Sequence, residues 1–269
     1  MADDLASGFQ RVDHASDFEV FARCLTLIDS LPFFAECKRE SYDLLAASPG
    51  KRILEVGCGL GDDAAALAAR VAPGGSVVAV DGSRGMVEAA GRRHADAAGL
   101  SFEVADAIQL PYADGSFDGC RIDRVLQHIP DPGSAVGEMS RVLRPGGTLV
   151  AFDSDWETLT IDSQNRPLTR AVLNAWCDRF PSGWIGRRMR ALFLDAGLDD
   201  VETHPKTLVC TDLEVADQVF SFFATVDGLV GDGTVDRHDA EHWKAELRDA
   251  DAAGRFLTTY TGFLVSGAR

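Results

Sequence analysis

The sequence predicts an α/β fold in which a mainly parallel sheet is covered by helices on both faces. Between residues 51 and 152, short apolar runs alternate with segments of helical periodicity. Apolar runs of this kind are typical of strands buried on both faces, and strand–helix alternation produces right-handed βαβ units. The 269 residues, 46% hydrophobic and 25% charged, are enough for one large globular domain or two small ones.

Residues 1–50 are predicted to form a helical N-terminal cap. Ser16 and Glu19 have the spacing of a capping box, and apolar residues then recur at helical intervals at Phe18, Phe21, Ala22, Leu25 and Ile28. A second helix is predicted over residues 36–47, because the Ser-Pro-Gly sequence at 48–50 interrupts the chain.

Residues 51–269 are predicted to form the main domain. Its first five strands are expected at 52–56, 77–80, 101–104, 117–122 and 148–152, with helices at 62–71, 83–98 and 134–143. Helices are then expected at 168–180, 187–196, 213–230 and 238–252, and strands at 201–211 and 256–265. The helical stretch of about 212–253 lies between two strands, which predicts an insertion over one end of the sheet.

Composition narrows the classes of function. Lys and Arg number 26 against 42 Asp and Glu, and the net charge of −16 argues against a nucleic-acid or anionic-membrane partner. No apolar run has the length of a membrane span, and the acidic start MADDLASGFQ does not resemble a signal peptide. The six cysteines form no C-x-x-C pair, so we expect no metal site, no disulfides and a cytoplasmic location.

The strongest chemical signal is the segment EVGCGLG at residues 55–61, between a predicted strand and a predicted helix. Glycines let the backbone turn tightly and approach a ligand closely. Asp62 stands where a dinucleotide-binding fingerprint has its third glycine, and its carboxylate would repel a pyrophosphate. The segment therefore favours a ligand without phosphate at this loop, over NAD or FAD.

Two aspartates follow neighbouring strands. Asp81 ends the second predicted strand, where a carboxylate can accept hydrogen bonds from both hydroxyls of a ribose. Asp106 follows the third strand, where it can accept from an adenine amine. The less favoured alternative for each residue is an aspartate that only caps a helix or stabilises a turn. With the glycine segment, they predict a pocket for an adenosine-like ligand.

The order of the motifs ILEVGCGLG, VVAVDGS, VADAIQLPYADGSFDGC, LQHIPDP and RVLRPGGTLV resembles the class I S-adenosylmethionine-dependent methyltransferases. The sequence is similar to the ubiquinone/menaquinone-type and small-molecule group of that family. The resemblance is close over residues 51–152. It implies a Rossmann-like sheet of seven strands with the last one antiparallel, and S-adenosyl-L-methionine as cofactor.

The resemblance also implies roles for individual residues toward that cofactor. Around its methionine part it places Gly57, Cys58, Gly59 and Asp123, with Glu55 reaching the amino group directly or through water. Around its nucleoside it places Asp81 on the ribose, Gly82 and Met86 beside the adenine, and Asp106 with the Ala107 backbone N–H at the adenine edge. Arg39, in the helix before the glycine segment, is a candidate partner of the cofactor carboxylate; the alternative is a solvated arginine.

Candidates for contact with the methyl acceptor are weaker. His128 is a possible general base, although a role in local packing or hydrogen bonding is favoured for a histidine at this position. Asp153, Asp155 and Trp156 follow the fifth predicted strand, and Asp155 is the second catalytic candidate. Three further groups have a possible functional role, but an ordinary core or surface role is favoured for each. The possible roles are a lid for Trp184, Arg187 and Arg188, an apolar roof for Phe220, Phe222 and Phe223, and a metal pair for His238 with His242.

Methyl transfer to an O, N or C atom of a small molecule, in natural-product or quinone-like biosynthesis, is the function that these features predict. Two alternatives stay open. One is a cofactor-bound cyclase that transfers no methyl group, since no general base is evident. The other is a protein methyltransferase that binds a basic partner. The oligomeric state, monomer or homodimer, is also open.

Overall fold

A computed structural model describes residues 18–269. Ser16, the first residue of the predicted capping box, lies outside them. Within the described residues, seven strands form one sheet: β1 (Arg52–Val56), β2 (Ser76–Asp81), β3 (Leu100–Val104), β4 (Phe117–Asp123), β5 (Leu143–Ile161), β6 (Asp199–Cys210) and β7 (Thr258–Ala268). Their order is β3-β2-β1-β4-β5-β7-β6, and the predicted α/β class with a Rossmann-like seven-stranded sheet is confirmed.

The helices of the described residues connect and cover these strands. They are α1 (Phe18–Ser30), α2 (Pro32–Leu44), α3 (Asp62–Val71), α4 (Arg84–Arg93), α5 (Pro132–Val142), α6 (Arg166–Cys177), α7 (Ile185–Asp195), α8 (Leu213–Phe220), α9 (Phe222–Gly231) and α10 (Arg237–Ala252). None of these helices combines the length and the apolar character that a membrane span requires.

The core has two layers, one on each face of the sheet. Ile53 and Leu54 are neighbours on β1 but belong to different apolar clusters, because successive strand side chains point to opposite faces. The cluster of Ile53 contains Leu67 of α3 and Trp243 of α10. The cluster of Leu54 contains residues of α5 and α7, including Met139. Helices therefore shield both faces of the parallel strands.

Strands β1 to β5 pair in parallel, and β7 pairs antiparallel with both β5 and β6. Strand β5 continues to Ile161, so the prediction that it ends at 152 is wrong. The extension is held by β7, since Asp155 lies opposite Thr261 and Thr160 opposite Thr259. Asp153, Asp155 and Trp156 are therefore strand residues rather than residues of a loop.

The helical stripe predicted over 213–230 is two helices, not one. Ser221 has a φ of 50°, a left-handed conformation that ends α8 and starts α9. The Asp217 carboxylate accepts a hydrogen bond from the Phe223 backbone N–H at 2.8 Å, which stabilises the break. In the sequence, helices α8, α9 and α10 all follow β6 and precede β7.

Candidate active site

A cavity of about 860 Å³ opens at the carboxyl ends of β1, β2, β3 and β4. Such edges are where open α/β sheets bind ligands. Its walls also include residues of α1, α2, β5, α6, α8 and β7. This volume lies within the usual range of small-molecule sites, roughly 300–1,000 Å³.

The glycine segment shapes one end of the cavity. Gly57 has a φ of 73°, and a Cβ placed there would lie 2.2 Å from Val125 Cγ2, so no side chain fits. The backbone N–H groups of Gly57 and Cys58 donate to the Val80 carbonyl at 2.7 and 2.9 Å. The loop is thus pulled against β2, and its far side faces the cavity.

Asp81 holds the same loop from the tip of β2. Its carboxylate accepts hydrogen bonds from the backbone N–H groups of Gly59 and Ser83, both at 2.9 Å. Each carboxylate oxygen can accept more than one hydrogen bond, so the side chain can also take a ligand hydroxyl. Asp81 lines the cavity.

The residues predicted at the adenine lie together beside Asp81. Gly82, Met86, Asp106 and Ala107 all line the cavity. Met86 is buried and offers an apolar surface, whereas Asp106 is exposed and accepts a hydrogen bond from the Ile108 backbone N–H at 3.1 Å. An apolar wall next to a carboxylate can accommodate a flat base that carries an amine.

Glu55 lies beneath the loop with its side chain buried. One oxygen, Oε1, forms an ion pair with Arg121, and the other, Oε2, has no hydrogen-bond partner among the described residues. Burial raises the pKa of the Glu55 carboxyl above its ordinary value, and Arg121 opposes the rise. Glu55 lines the cavity, so this orphaned oxygen fits a ligand amino group or a water that bridges to one.

Arg121 joins the N-terminal helices to the strand ends. Its buried guanidinium contacts Asp123 Oδ2 at 2.5 Å and Ser41 Oγ of α2 at 2.7 Å. Asp63 Oδ2 lies 3.3 Å from the same guanidinium. Burial lowers the pKa of Arg121, but the surrounding carboxylates more than offset this, so the charge is retained. One arginine therefore positions the carboxylates of both β1 and β4 at the cavity.

The opposite end of the cavity is apolar. We call it the aromatic end and define it by Trp156, Trp176, Phe180, Val219 and Tyr260, which all line the cavity. The rings of Trp156 and Phe180 are stacked at 5.4 Å, and the ring of Trp176 is almost perpendicular to that of Trp156. Sequence reasoning missed Trp176, Phe180 and Tyr260, whose contributions depend on how distant elements pack.

Gln127 connects Trp156 to His128. Trp156 Nε1 donates to Gln127 Oε1 at 2.8 Å, so the amide nitrogen of Gln127 faces His128 Nε2 at 3.2 Å. Because an amide nitrogen only donates, His128 Nε2 accepts, and the neutral ring carries its hydrogen on Nδ1. His128 lines the cavity, but this network engages the lone pair that a base would use. The arrangement does not favour the predicted base.

Comparison with known proteins decides the family. A methyltransferase-domain model matches residues 54–151. The demethylmenaquinone methyltransferase of Beutenbergia cavernae is 42% identical over 116 residues, 43% of this chain and 46% of that protein. Residues 54–151 belong to the class I S-adenosylmethionine-dependent methyltransferases. The predicted resemblance is confirmed.

Outside the methyltransferase-domain match, one curated relative extends the similarity. An uncharacterised 37.1 kDa protein in transposon TN4556 of Streptomyces fradiae is 40% identical over 229 residues, 85% of this chain and 65% of that protein. The chain spans less than two thirds of the length of the curated relatives described here.

Solved structures of low sequence identity share the methyltransferase fold. The YcgJ protein of Bacillus subtilis has a TM-score of 0.61 at 17% identity, covering 87% of this chain and 98% of YcgJ. The cyclase SpnF has a TM-score of 0.53 at 17% identity, covering 86% of this chain and 80% of SpnF.

The cofactor of this methyltransferase family is S-adenosylmethionine, and the cavity has the donor set that this molecule requires. The glycines of the loop, which carry no side chain, leave room for the methionine part of the cofactor. The unpartnered Glu55 Oε2 fits its amino group, and Asp81 and Asp106 lie at adjacent strand ends for a nucleoside. No protein phosphate-binding cation is needed, because this cofactor carries no phosphate.

The predicted role of Arg39 needs correction. Arg39 is exposed, does not line the cavity, and has its Nε 3.4 Å from the Ala35 carbonyl of its own helix. Lys38 lines the cavity instead, with its ammonium 2.7 Å from Asp29 and 3.0 Å from Asp63. The sequence contained a signal for Lys38, because it lies one helical turn from the aromatic residues at 34 and 42 and therefore on the same helix face. Both of those aromatic residues are buried.

Asp155, the second catalytic candidate, also needs correction. Its side chain is 1% exposed, does not line the cavity, and binds Arg187 through both oxygens at 2.5 and 2.8 Å. Arg187 further contacts Glu157 at 2.8 Å. Because β5 is longer than predicted, Asp155 falls on the strand face turned away from the cavity, in a structural ion pair.

Several weaker candidates lie away from the cavity. Phe220 and Phe222 are core residues, and the neighbouring Val219 reaches the cavity instead. Outside the cavity walls are Phe223, Trp184, Arg188, His238 and His242. In the part of the chain that is described, no three His, Cys, Asp or Glu side chains are grouped to hold a metal ion.

Proposed function

We propose that the protein transfers the methyl group of S-adenosylmethionine to a small-molecule acceptor bound at the aromatic end. The observation that carries the proposal is the continuity of the cavity, which joins the cofactor end at Asp81 and Glu55 to the aromatic end at Trp156. Two ligands can therefore meet inside one enclosure.

The roles of the cofactor-end residues are part of this proposal. Asp81 holds the ribose, Asp106 and the Ala107 backbone hold the adenine edge beside Gly82 and Met86, and Glu55 holds the amino group. The glycine loop with Cys58 and Asp123 surrounds the methionine part, and Lys38 faces its carboxylate. All of these side chains line the cavity, which supports the assignment.

When bound, the cofactor supplies a methyl group already activated by its positive sulfur. The task left to the chain is to orient an acceptor atom in line with that methyl group and to exclude water. Gln127 fixes Trp156 and His128 relative to each other, and both line the cavity. We therefore assign His128 a positioning role rather than that of a general base.

The elements around the cavity support an enclosed acceptor. Helices α1 and α2 of the proposed N-terminal cap (1–50) supply Leu25, Ile28 and Phe34, and the proposed lid insertion (about 212–253) supplies Val219. The net charge of −16 disfavours a nucleic-acid acceptor. The name of the Beutenbergia relative gives a quinone-type small molecule as its acceptor. Both facts favour a small molecule over a macromolecule.

The proposal is tested with cofactor labelled in its methyl group and a panel of small acceptors and basic peptides. Appearance of the label in a small molecule, with one S-adenosylhomocysteine formed for each methyl group, is the expected result. Label in peptides alone would indicate a protein methyltransferase. An acceptor converted without S-adenosylhomocysteine would indicate a cyclase. Calorimetric uptake of a nicotinamide or flavin dinucleotide, without uptake of S-adenosylmethionine, would overturn the proposal altogether.

A further inference from the structure

The five residues that define the aromatic end are uncharged, and the charges of Arg124 and Asp123, which act on Tyr260, are paired with each other at 2.8 Å. The charged lining residues include Lys38, Glu55, Asp81 and Asp123, all at or near the cofactor end. Arg179 lies 5.8 Å from the Trp176 ring but is not a lining residue. An anionic group on a ligand would be desolvated at the aromatic end without a free cation to pair with it, which is costly. The part of the acceptor bound there therefore carries no negative charge.

The rings of the aromatic end present flat surfaces at two orientations. Trp156 and Phe180 are inclined to each other by only 22°, whereas Trp176 is inclined by 86° to Trp156 and by 73° to Phe180. Flat rings gain most from stacked and edge-to-face contacts with other rings. This geometry favours a planar ligand over a branched or flexible chain.

Two polar groups of the aromatic end, Trp176 Nε1 and Tyr260 Oη, have no hydrogen-bond partner among the described residues. Of the two, only the indole nitrogen is restricted to donating. Trp176 is buried, and its Nε1 makes no hydrogen bond to any described residue. The other two buried indoles do donate, Trp156 to Gln127 at 2.8 Å and Trp243 to Thr169 at 3.0 Å. An indole nitrogen is a donor only, and leaving it unsatisfied is costly. The partner it needs is a hydrogen-bond acceptor, and the ligand can supply one.

We propose that the methyl acceptor is a planar ring compound without an anionic group, with an oxygen that accepts a hydrogen bond from Trp176 Nε1. This inference rests on the proposed function, whose acceptor it defines. Trp176 thus selects the acceptor: its indole N–H distinguishes a ring oxygen substituent from a methyl group of similar size, and the lack of a free cation in the walls excludes carboxylates.

The test measures binding of four probes to the full chain saturated with S-adenosylhomocysteine, by equilibrium dialysis. β-Naphthol carries the oxygen, β-methylnaphthalene replaces it with a methyl group, and choline and β-naphthoate carry charges. We expect β-naphthol to bind most tightly. Trp176→Phe should weaken β-naphthol about tenfold, as loss of one hydrogen bond predicts, and leave β-methylnaphthalene unchanged. Trp184→Phe, which removes an exposed indole outside the cavity, is the matched control and should change neither.

Equal weakening of both neutral probes by Trp176→Phe would overturn the inference, since Trp176 would then act by packing alone. Tighter binding of choline or β-naphthoate than of β-naphthol would also overturn it. If Trp176→Phe does not fold, the native protein still decides, because equal affinity for the two neutral probes contradicts a hydrogen bond to the oxygen. Failure of the proposed function would show differently, as absence of S-adenosylhomocysteine binding in calorimetry or of methyl transfer to any acceptor.

Discussion

The Asp81 carboxylate accepts a hydrogen bond from the Gly59 backbone N–H at 2.9 Å, which ties the tip of β2 to the loop after β1. The same carboxylate lines the cavity. One side chain therefore shapes the glycine loop and, in our proposal, also binds the ribose. Removal of the Asp81 carboxylate is therefore expected to weaken cofactor binding both through the loop and through the ribose.

Asp81→Ala is expected to weaken S-adenosylhomocysteine binding by at least about tenfold, since hydrogen bonds to a charged group contribute roughly 1.5–3 kcal/mol. Calorimetry measures the dissociation constant. Asp249→Ala, at an exposed position on α10, is the control and should bind as the native protein does. An unchanged dissociation constant in Asp81→Ala would contradict the proposed cofactor site.

Lys38 and Arg39 are adjacent in the sequence, but Lys38 lines the cavity and Arg39 is exposed outside it. Lys38→Met should weaken S-adenosylhomocysteine binding about fivefold or more, because a cation facing the ligand carboxylate is lost. Arg39→Met is its matched control and should leave binding unchanged, since Arg39 is exposed and outside the cavity. The comparison is made by calorimetry at one ionic strength. A larger effect of Arg39→Met would restore the assignment made from the sequence.

Asp155→Asn should lower the free energy of unfolding by about 1–3 kcal/mol and leave ligand binding intact. The reason is that the two-pronged ion pair between the buried Asp155 carboxylate and the partly exposed Arg187 guanidinium is broken, on the face of β5 turned away from the cavity. Urea denaturation measures the stability. Arg187→Gln should give a similar loss, and the double variant little more than either alone. Lost methyl transfer at native stability would instead indicate a catalytic Asp155.

Asp153 should make stability depend on pH. Burial raises its pKa to about 7, although the Ser154 and Gln127 backbone N–H groups oppose the rise. The unfolded carboxyl has an ordinary pKa of about 4. The folded state therefore holds the proton more tightly, and the stability that the carboxyl contributes is full below pH ~4 and lost as the pH rises through ~7.

Asp153→Asn removes this titration. Between about pH 5 and 7, the native protein should lose stability relative to the variant by up to ~1.4 kcal/mol per pH unit. Urea unfolding of both proteins at several pH values measures the difference, in which the titration of all shared groups cancels. Parallel stability profiles would show that the Asp153 carboxyl does not titrate in this range.

The residues that we propose for the cofactor could be predicted from sequence to lie together, because each has a local position at a strand end. The predicted helix at 62–71 matches α3, and Gly57, Asp81 and Asp106 lie directly at strand ends that apolar runs reveal. Carboxyl ends of parallel strands meet at one edge, so their side chains converge without any knowledge of packing. Arg39 failed because neighbouring helix residues point about 100° apart, so an error of one position changes the exposed face.

The residues of the aromatic end could not be predicted from sequence in this way. Strand β5 extends past residue 152 only because β7, a hundred residues later, pairs with it, and no local pattern records that pairing. The same pairing turns Asp155 away from the cavity. Trp176, Phe180 and Tyr260 are aromatic residues like others in the core, and only the packing of α6, the segment after it and β7 brings them together at the aromatic end.

The two walls of the aromatic end differ in how they are anchored. Trp156 and Tyr260 belong to β5 and β7, whose backbones are joined by ladder hydrogen bonds, whereas Trp176 and Val219 come from α6 and α8 and are held by side-chain packing. Substitutions on α6 and α8 can therefore change the shape of the aromatic end without shifting the register of the strands. If the aromatic end binds the acceptor as we propose, related chains can change their acceptor through substitutions on these helices and keep the same nucleoside site.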